Sequence, residues 1–150
     1  MTNWTHKKFS DLTPGELYAI LRLRSEVFVV EQNCVFLDMD NKDQPSHHLM
    51  GWQGDRLVAY ARIVPPGISY AEFSIGRIVS SPAVRKQGIG RVLVRKGIDL
   101  AYTLHGEGVI RIGAQYYLRG FYESFGFEKA GDIYLEDGIQ HIEMLLFTKD

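Results

Sequence analysis

The sequence has very little cysteine, since Cys34 is the only one in 150 residues. A single thiol excludes a disulfide framework and a zinc site built on several cysteines, which is typical of a reducing compartment. Net charge is missing too, because 17 Lys and Arg oppose 18 Asp and Glu, for an overall charge of −1. A chain without a charge excess has no global attraction to nucleic acid or to an anionic membrane surface. We therefore expect neither partner.

Long apolar runs are also absent. None approaches the roughly 20 residues of a membrane-spanning helix, and the N-terminal segment MTNWTHKKFS contains no signal-peptide core. These features predict a cytoplasmic protein. A chain of 150 residues has the usual length of one domain, which buries roughly 70% of the surface that the unfolded chain exposes. We therefore expect residues 1–150 to form a single domain.

The apolar pattern predicts an edge strand, a helix, a long loop, three strands, a helix, a strand, a helix and two strands. Residues 13–16, TPGE, have the N-cap, first-turn proline and capping glutamate of a helix start. We expect this helix to reach about Phe28 and the loop to occupy residues 29–46. Hairpin turns are predicted at residues 54–55 and 137–138. The helical positions that share one face are Leu17, Ile20, Leu21, Arg24 and Phe28.

Most strand connections in this order are hairpins and two are helical, which predicts an α+β fold with a mixed sheet. One of these strands is predicted at residues 71–80, and the segment at residues 73–98 joins it to a helix through a turn with two glycines. The start of a helix exposes unpaired N–H groups and the positive end of the helix dipole, so this turn predicts an anion site. A P-loop is excluded because no Lys-Ser or Lys-Thr pair follows Gly90, and a dinucleotide fingerprint because Leu93 replaces its third glycine.

Residues 85–90, RKQGIG, resemble the acyl-CoA-binding motif of the GNAT superfamily of N-acyltransferases, which is Gln or Arg, two residues, Gly, one residue, and Gly or Ala. Residues 115–127, QYYLRGFYESFGF, resemble the later element of that superfamily, in which a helix carrying Phe-Tyr leads into Gly-Phe. Within the superfamily, the sequence resembles the ElaA-like branch along nearly the whole chain. The segments that carry this second resemblance are LRLRSEVFVVEQNC, SHHLMGW, IGRIV, IGAQ and YLEDGIQHIEM.

The resemblance implies a three-layer α+β fold. Its mixed, mostly antiparallel sheet of about seven strands is flanked by helices and splays to admit acetyl-CoA. Backbone amides of the turn would bind the pyrophosphate, and the main chain of residues 78–80 would pair with the pantetheine arm. The residues expected at the cofactor are Ile78, Val79, Ser80, Arg85, Lys86, Gln87, Gly88, Ile89, Gly90, Arg91 and Gln115.

Tyr122 matches the tyrosine that protonates the leaving thiolate in this superfamily, a role that suits a phenol with a pKa of about 10. The same spacing is also typical of a core aromatic. An amine with a pKa of about 10.4 must lose a proton before it attacks a thioester, so a base or a water chain is needed. Glu31 and His141 are candidate bases, because their segments often wall the acceptor site in the superfamily. The remaining candidates are Asp38, Asp40, Asp43, His47, His48 and Glu72.

No metal site is predicted. Asp38 and Asp40 begin like a calcium loop, but Asp43 stands where that loop requires glycine. Residues 47–48 are adjacent histidines on a predicted strand, so their side chains should face opposite sides and cannot grip one ion. Cys34 is expected to be a small apolar residue rather than the nucleophile of an acyl-enzyme.

The function that the resemblance implies is transfer of an acetyl group from acetyl-CoA to a small-molecule amine or a peptide amine, by direct attack in a ternary complex. The alternative is a module that binds or senses acyl-CoA without turnover. The acids of residues 29–46 favour a cationic acceptor, and Arg77 is expected to pair with one acid among the candidate bases. An exposed sheet edge is compatible with a homodimer. The sequence leaves open the acceptor, the base and the acyl-chain preference.

Overall fold

The computed structural model describes residues 1–147, which form two four-stranded sheets with helices on both sides. The strands are β1 (Asn3–Lys8), β2 (His47–Gln53), β3 (Arg56–Val64), β4 (Ser74–Ser80), β5 (Ile110–Gln115), β6 (Glu128–Lys129), β7 (Tyr134–Glu136) and β8 (Ile139–Leu146). The α-helices are α1 (Pro14–Arg24), α2 (Ile89–His105) and α3 (Arg119–Glu123). A π-helical segment, Ser25–Glu31, continues α1, and 3-10 turns lie at Phe9–Asp11, Pro82–Val84 and Tyr116–Leu118.

Both sheets are antiparallel, and they meet at one point. The first has the order β1-β2-β3-β4, and the second the order β5-β8-β6, with β7 also paired to β8. Between β4 and β5 a parallel bridge joins Phe73 to Ile110, and the Arg111 N–H donates to the Phe73 carbonyl at 3.1 Å. Past this bridge the rest of β4 and β5 lines an open cleft. The predicted splay in the sheet is therefore confirmed.

α1 and α2 pack on opposite faces of the first sheet. On one face Ile20 and Leu23 of α1 pack against Tyr60 of β3. On the other, Leu93 of α2 packs in one cluster with Ile63 of β3. This helix-sheet-helix order is the predicted three-layer α+β fold, and β1 lies at the sheet edge as expected. Within residues 1–147, no helix is both long enough and apolar enough to cross a bilayer.

The boundaries differ from the sequence prediction at three places. The described residues contain eight strands rather than about seven, because β6 has two residues and is too short to show an alternating pattern. The strand expected from Ala71 begins its ladder at Ser74. The α-helical geometry of α1 ends at Arg24 rather than near Phe28, yet the π-helical segment keeps the chain helical as far as Glu31. The valines of that segment are stiff, β-branched residues that favour the α-helix weakly.

The helix start and both hairpin turns follow the prediction. The Glu16 N–H donates to the Thr13 hydroxyl at 3.1 Å, and the Thr13 N–H donates to the Glu16 carboxylate at 2.8 Å. Gly54 has a φ of +60°, while Asp137 and Gly138 have φ of +52° and +78°. Two successive positive φ values are those of a tight type I′ hairpin turn, which Asp-Gly favours.

A buried cluster of charges ties the loop after Glu31 to the first sheet. Arg24 is fully buried; its Nε donates to Asp38 and its Nη1 to Asp43, both at 2.7 Å. Arg62 donates to both carboxylate oxygens of Asp40, at 2.8 and 2.9 Å. We call the set the arginine–aspartate cluster; its members are Arg24, Arg62, Arg77, Asp38, Asp40 and Asp43. Its charges balance internally.

Candidate active site

The cleft between β4 and β5 has a volume of about 600 Å³. Its walls come from the π-helical segment, β4, β5, the start of α3 and the hairpin of β7 and β8. The predicted site residues that it brings together are Glu31, Ile78, Val79, Ser80, Arg85, Gln115, Tyr122 and His141. The other predicted cofactor residues, Lys86, Gln87, Gly88, Ile89, Gly90 and Arg91, lie on the adjoining turn and the first turn of α2.

A β-bulge bends β4 where the cleft opens. The pairing of β3 with β4 shifts between Tyr60 and Arg62, so that Ala61 faces two residues, Arg77 and Ile78. Arg77 has a φ of +49°, which is uncommon for a residue with a side chain. The prediction that Arg77 pairs with an acid is confirmed, because its guanidinium belongs to the arginine–aspartate cluster. The bulge increases the local twist and redirects the main chain of residues 78–80.

The glycine-rich turn presents a helix start beside the cleft. Lys86 and Gly88 have φ of +73° and +76°, and Gly88 is the N-cap of α2. Among the described residues, no heavy atom lies within 4 Å of a Cβ built on Gly88, so the turn is open to a ligand there. The N–H groups of Ile89, Gly90 and Arg91 are in the first turn of α2 and have no helical acceptor. This donor set fits the oxygens of a pyrophosphate group.

Two of the predicted cofactor arginines have protein partners. Arg85 donates through both terminal nitrogens to the carboxylate oxygens of Glu31, each at 2.6 Å. The Arg91 guanidinium lies 4.7 Å from the Phe125 ring centroid and donates to the Ser124 hydroxyl at 3.0 Å. The Arg91 side chain is thus held against the end of α3, which leaves its backbone N–H as the group beside the turn.

Glu31 is poorly suited to act as a base in this arrangement. The hydrogen bonds from Arg85 hold the pKa of the Glu31 carboxyl below its ordinary value. A carboxylate that is stabilised in its charged form accepts a proton less readily. Glu31 therefore lies in the cleft as predicted, but it is engaged by a second predicted site residue.

Tyr122 lies on α3 with 6% of its surface exposed. Its ring meets Phe121 and Phe127 edge-on, with centroids 5.3 and 6.0 Å away. Burial raises the pKa of the Tyr122 phenol, so the hydroxyl keeps its proton at neutral pH. It therefore has a proton to donate, but the raised pKa makes it a weaker acid than an exposed tyrosine.

His141 lies on β8 with 7% of its surface exposed. Its Nδ1 is 2.8 Å from the Ile139 carbonyl oxygen, which can only accept, so Nδ1 carries the ring proton. Nε2 then has the lone pair, and it lies 3.6 Å from a carboxylate oxygen of Glu136. The ring stacks on Tyr134 with centroids 5.7 Å apart. This geometry leaves Nε2 as the nitrogen that can exchange a proton, and it places that nitrogen beside a negative charge.

The remaining candidate bases have structural partners. His48 is fully buried, its Nε2 donates to the Asp43 carbonyl at 2.9 Å, and its Nδ1 accepts from the Tyr60 hydroxyl at 2.6 Å. His47 faces the other side of the strand, as predicted, and its Nε2 lies 3.1 Å from Nδ1 of His6. Asp38, Asp40 and Asp43 belong to the arginine–aspartate cluster, and Glu72 pairs with Arg111 at 3.0 Å. Within residues 1–147, no three His, Cys, Asp or Glu side chains are grouped to hold a metal.

Two further cleft residues bond to the protein itself. The Gln115 and Gln32 side-chain amides hydrogen-bond each other at 3.3 Å, so Gln115 is positioned at the end of β5. The Cys34 thiol donates to the Asp137 carbonyl at 3.2 Å. That contact joins the loop after Glu31 to the β7–β8 hairpin across the cleft.

Sequence reasoning missed a group of residues beside the cleft. Tyr70, Gly113, Tyr134 and Glu136 line a second pocket of about 570 Å³. They come from three separated parts of the chain, and no local motif joins them. For Arg24 a signal existed, because it occupies an apolar position of α1, and a buried arginine requires acidic partners.

This architecture, a sheet opened beside a glycine-led helix start, is the acyl-CoA N-acyltransferase fold. The structure matches an acyl-CoA N-acyltransferase from Pseudomonas aeruginosa with a TM-score of 0.93 and 41% identity, covering 97% of this chain and 99% of that chain. It matches Escherichia coli ElaA with a TM-score of 0.91 and 39% identity, again covering 97% and 99%.

Residues 20–147 match the Acetyltransferase (GNAT) domain, and the chain belongs to the GNAT acetyltransferase family. The UPF0039 protein sll0451 of Synechocystis is 43% identical over 144 residues, which cover 95% of this chain and 94% of that relative. ElaA of Escherichia coli is 40% identical over 146 residues, covering 96% and 95%. The predicted resemblance to the ElaA-like branch is confirmed. Acyl-CoA-dependent acyl transfer is the chemistry of the family.

Proposed function

We propose that the chain is an N-acetyltransferase that moves the acetyl group of acetyl-CoA to a primary amine by direct attack within a ternary complex. The observation that carries the proposal is the convergence of two complementary groups in one cleft. Tyr122 and His141 both line the cleft, and the hydrogen bond from His141 Nδ1 to the Ile139 carbonyl leaves Nε2 as the nitrogen that can take a proton. The start of α2 lies beside them and supplies an anion site.

Two parts of acetyl-CoA, its pyrophosphate and its pantetheine arm, have matching backbone groups at the cleft. The open turn at Gly88 and the first N–H groups of α2 would hold the pyrophosphate. The main chain of residues 78–80, beyond the bulge, would pair with the pantetheine arm. When bound, the thioester supplies an activated acetyl carbonyl.

The residues of this chain then handle the protons. His141 Nε2 takes a proton from the acceptor ammonium, and the freed amine lone pair forms a bond to the acetyl carbonyl carbon. As the carbon–sulfur bond breaks, the Tyr122 hydroxyl donates its proton to the leaving thiolate sulfur. The amide nitrogen loses its second proton, which restores Tyr122, and His141 releases one proton to solvent.

His141 is the preferred base and Glu31 is not. Glu31 is ionised and doubly hydrogen-bonded to Arg85, whereas a carboxylate of Glu136 faces His141 Nε2 and favours the imidazolium that proton transfer creates. Glu136 acts through His141 and is a positioning residue. A His141→Gln variant should lower kcat by about 10²-fold or more and abolish the acidic limb of the pH–rate profile.

The direct experiment measures free CoA thiol and acetylated amine together, with acetyl-CoA and a panel of primary amines. The proposal expects the two products in equal amounts. An acyl-CoA-binding module without turnover would instead bind acetyl-CoA and release no thiol above the buffer rate with any amine.

A further inference from the structure

The second pocket meets the cleft at the opening of the sheet. The two cavities share lining residues on both sides of the opening, among them Ile75 and Gly76 of β4 and Gly113 of β5. A molecule in the second pocket would therefore reach the cleft without crossing the helix start that fits the pyrophosphate. Apolar side chains of Phe36 and Leu37 form part of its outer wall.

Gly113 makes room for a pair of tyrosine hydroxyls. A Cβ at this position would lie 2.7 Å from the Tyr134 hydroxyl oxygen and 2.9 Å from that of Tyr70, which is closer than real Cβ atoms approach. Both hydroxyls therefore lie against the same side of Gly113. Because a hydroxyl oxygen has two lone pairs, the pair keeps acceptor capacity for an N–H group in the pocket.

We call the part of the second pocket around Gly113, Tyr70, Tyr134 and Glu136 its corner, and the charge of this corner is negative. Glu136 and Asp137 lie at the hairpin turn and line both cavities, and neither has a Lys or Arg partner within residues 1–147. Glu143 shares a single cation, Arg111, with Glu72. Burial is the main reason that the pKa of the Tyr70 phenol is raised, and the negative charges of Glu143 and Glu136 raise this pKa further.

The acids of the loop at residues 29–46 do not contribute to this excess. Asp38, Asp40 and Asp43 are neutralised within the arginine–aspartate cluster, so they are not available to a cationic acceptor as the sequence had suggested. Lys42 also lines the second pocket, and it lies outside that cluster. Within residues 1–147 it forms no ion pair with a carboxylate.

We infer that the acceptor enters through the second pocket as a primary alkylammonium ion, bound beside Gly113 by the Tyr70 and Tyr134 hydroxyls and the Glu136 carboxylate. The inference rests on the proposed function. It assigns to this corner the cation recognition that sequence reasoning gave to the loop. His141 stacks on Tyr134 and faces Glu136, so the bound ammonium would lie next to the group that takes its proton.

Three amines with the same four-carbon chain test the charge preference: putrescine, n-butylamine and γ-aminobutyrate. A negative corner predicts kcat/KM falling in that order, with at least about tenfold between the diamine and the amino acid. A γ-aminobutyrate value equal to or above that of putrescine would overturn the inference and point to Lys42 as the recognition group. Glu136→Gln should reduce the putrescine preference by about fivefold or more.

Variants at the tyrosine pair test the geometry. Gly113→Ala and Tyr134→Phe should each raise the KM for putrescine by about fivefold or more, because the hydroxyl pair is displaced or broken. In Tyr134→Phe, where the changed side chain lines the second pocket and not the cleft, the dissociation constant for acetyl-CoA should stay within about twofold. Matched controls are Gly15→Ala, where a Cβ meets nothing within 4 Å, and Tyr18→Phe, where the ring is 73% exposed. Equal effects in test and control variants would contradict the assignment.

A binding measurement separates this inference from the proposed function. If acetyl-CoA binds but none of the three amines is acetylated, catalysis of this reaction fails. The inference still requires that CoA-saturated protein binds putrescine more tightly than γ-aminobutyrate in calorimetry, and that Glu136→Gln weakens this preference. No putrescine binding, or no preference, would refute it.

Discussion

Arg85 and Glu31 form a bidentate ion pair across the mouth of the cleft, with both nitrogen–oxygen distances at 2.6 Å. One partner follows β4 and the other ends the π-helical segment, so the pair joins two walls of the cleft. Both side chains remain about two-fifths exposed, at 42% and 39%. An exposed pair of this kind is worth at most about 1 kcal/mol, so a phosphate oxygen can compete for the arginine.

Replacing Glu31 by Gln tests whether this carboxylate is the base. We expect kcat to stay within about twofold, and acetyl-CoA to bind up to about fivefold more tightly at low salt, because Arg85 is released for phosphate. Steady-state kinetics and calorimetry measure the two quantities, with Arg85→Gln as the matched variant that should weaken binding. Loss of kcat by 10²-fold or more in Glu31→Gln would return the base to Glu31.

Replacing Tyr122 by Phe removes the proposed acid and leaves the ring packing in place. Turnover should fall by about 10²-fold or more, while the acetyl-CoA dissociation constant stays nearly unchanged, because the hydroxyl is needed only when the thiolate leaves. The control is Tyr117→Phe, which lies in the same cleft with a ring that is 71% exposed. Unchanged turnover in Tyr122→Phe would remove this residue from the mechanism.

Asp43 forms ion pairs with two arginines of the arginine–aspartate cluster, Arg24 and Arg62. Burial alone would raise the pKa of its carboxyl, but the hydrogen bonds from Arg24 and the contact with Arg62 hold it lower. Asp43→Asn should therefore cost about 3–5 kcal/mol of unfolding free energy, because it leaves buried guanidinium charge uncompensated. Urea unfolding measures the loss. Lys7→Ala, at the partly exposed pair with Glu16, should cost at most about 1 kcal/mol, and equal losses would contradict the role of the cluster.

The buried His48 makes the free energy of unfolding depend on pH. Burial lowers the pKa of its imidazole below the ordinary value of about 6.5. Below about pH 6.5 the His48 imidazole is therefore protonated in the unfolded chain but stays neutral in the folded chain. The contribution of His48 to stability is thus fully present above that pH and falls as the pH decreases. Each such group contributes at most about 1.4 kcal/mol per pH unit.

The same direction holds for His47 and His105, whose pKa values burial also lowers. Carboxylates with lowered pKa values add their own loss only below about pH 4. The free energy of urea unfolding should thus be smaller at about pH 5.5 than at about pH 8, and His48→Asn should flatten that slope. An equal or greater stability at the lower pH would contradict the neutral, buried His48.

Much of the fold could be predicted because its signals are local. The capping box at residues 13–16, the Asp-Gly turn at 137–138 and the glycines before α2 each depend on backbone chemistry within a few residues. The anion site at the turn beside the cleft was predicted in the same way, from its glycines and the helix start that follows them. The two-residue strand β6 was missed because its pairing depends on β8 rather than on its own pattern.

The site was predictable where it is built on such segments and not where it depends on distant contacts. Tyr122 and His141 were named from sequence and both line the cleft, but the pairing of Glu31 with Arg85 joins residues far apart in the chain. The meeting of Tyr70 with Tyr134 over Gly113 also depends on tertiary packing. The acids near Asp40 looked available to a ligand; a pairing with Arg77 was expected, but only the three-dimensional structure revealed the pairings with Arg24 and Arg62.

The melting temperature with and without acetyl-CoA tests the central claim, that the cleft and its glycine-rich turn bind this cosubstrate. At about 100 times the dissociation constant, binding to the folded state adds about 2.7 kcal/mol of stability, so the melting temperature should rise steadily with acetyl-CoA concentration. Gly88→Val should lose that rise, while Gly54→Val, at another positive φ with open space, should keep it. A wild-type protein whose melting temperature does not respond to acetyl-CoA would contradict the claim.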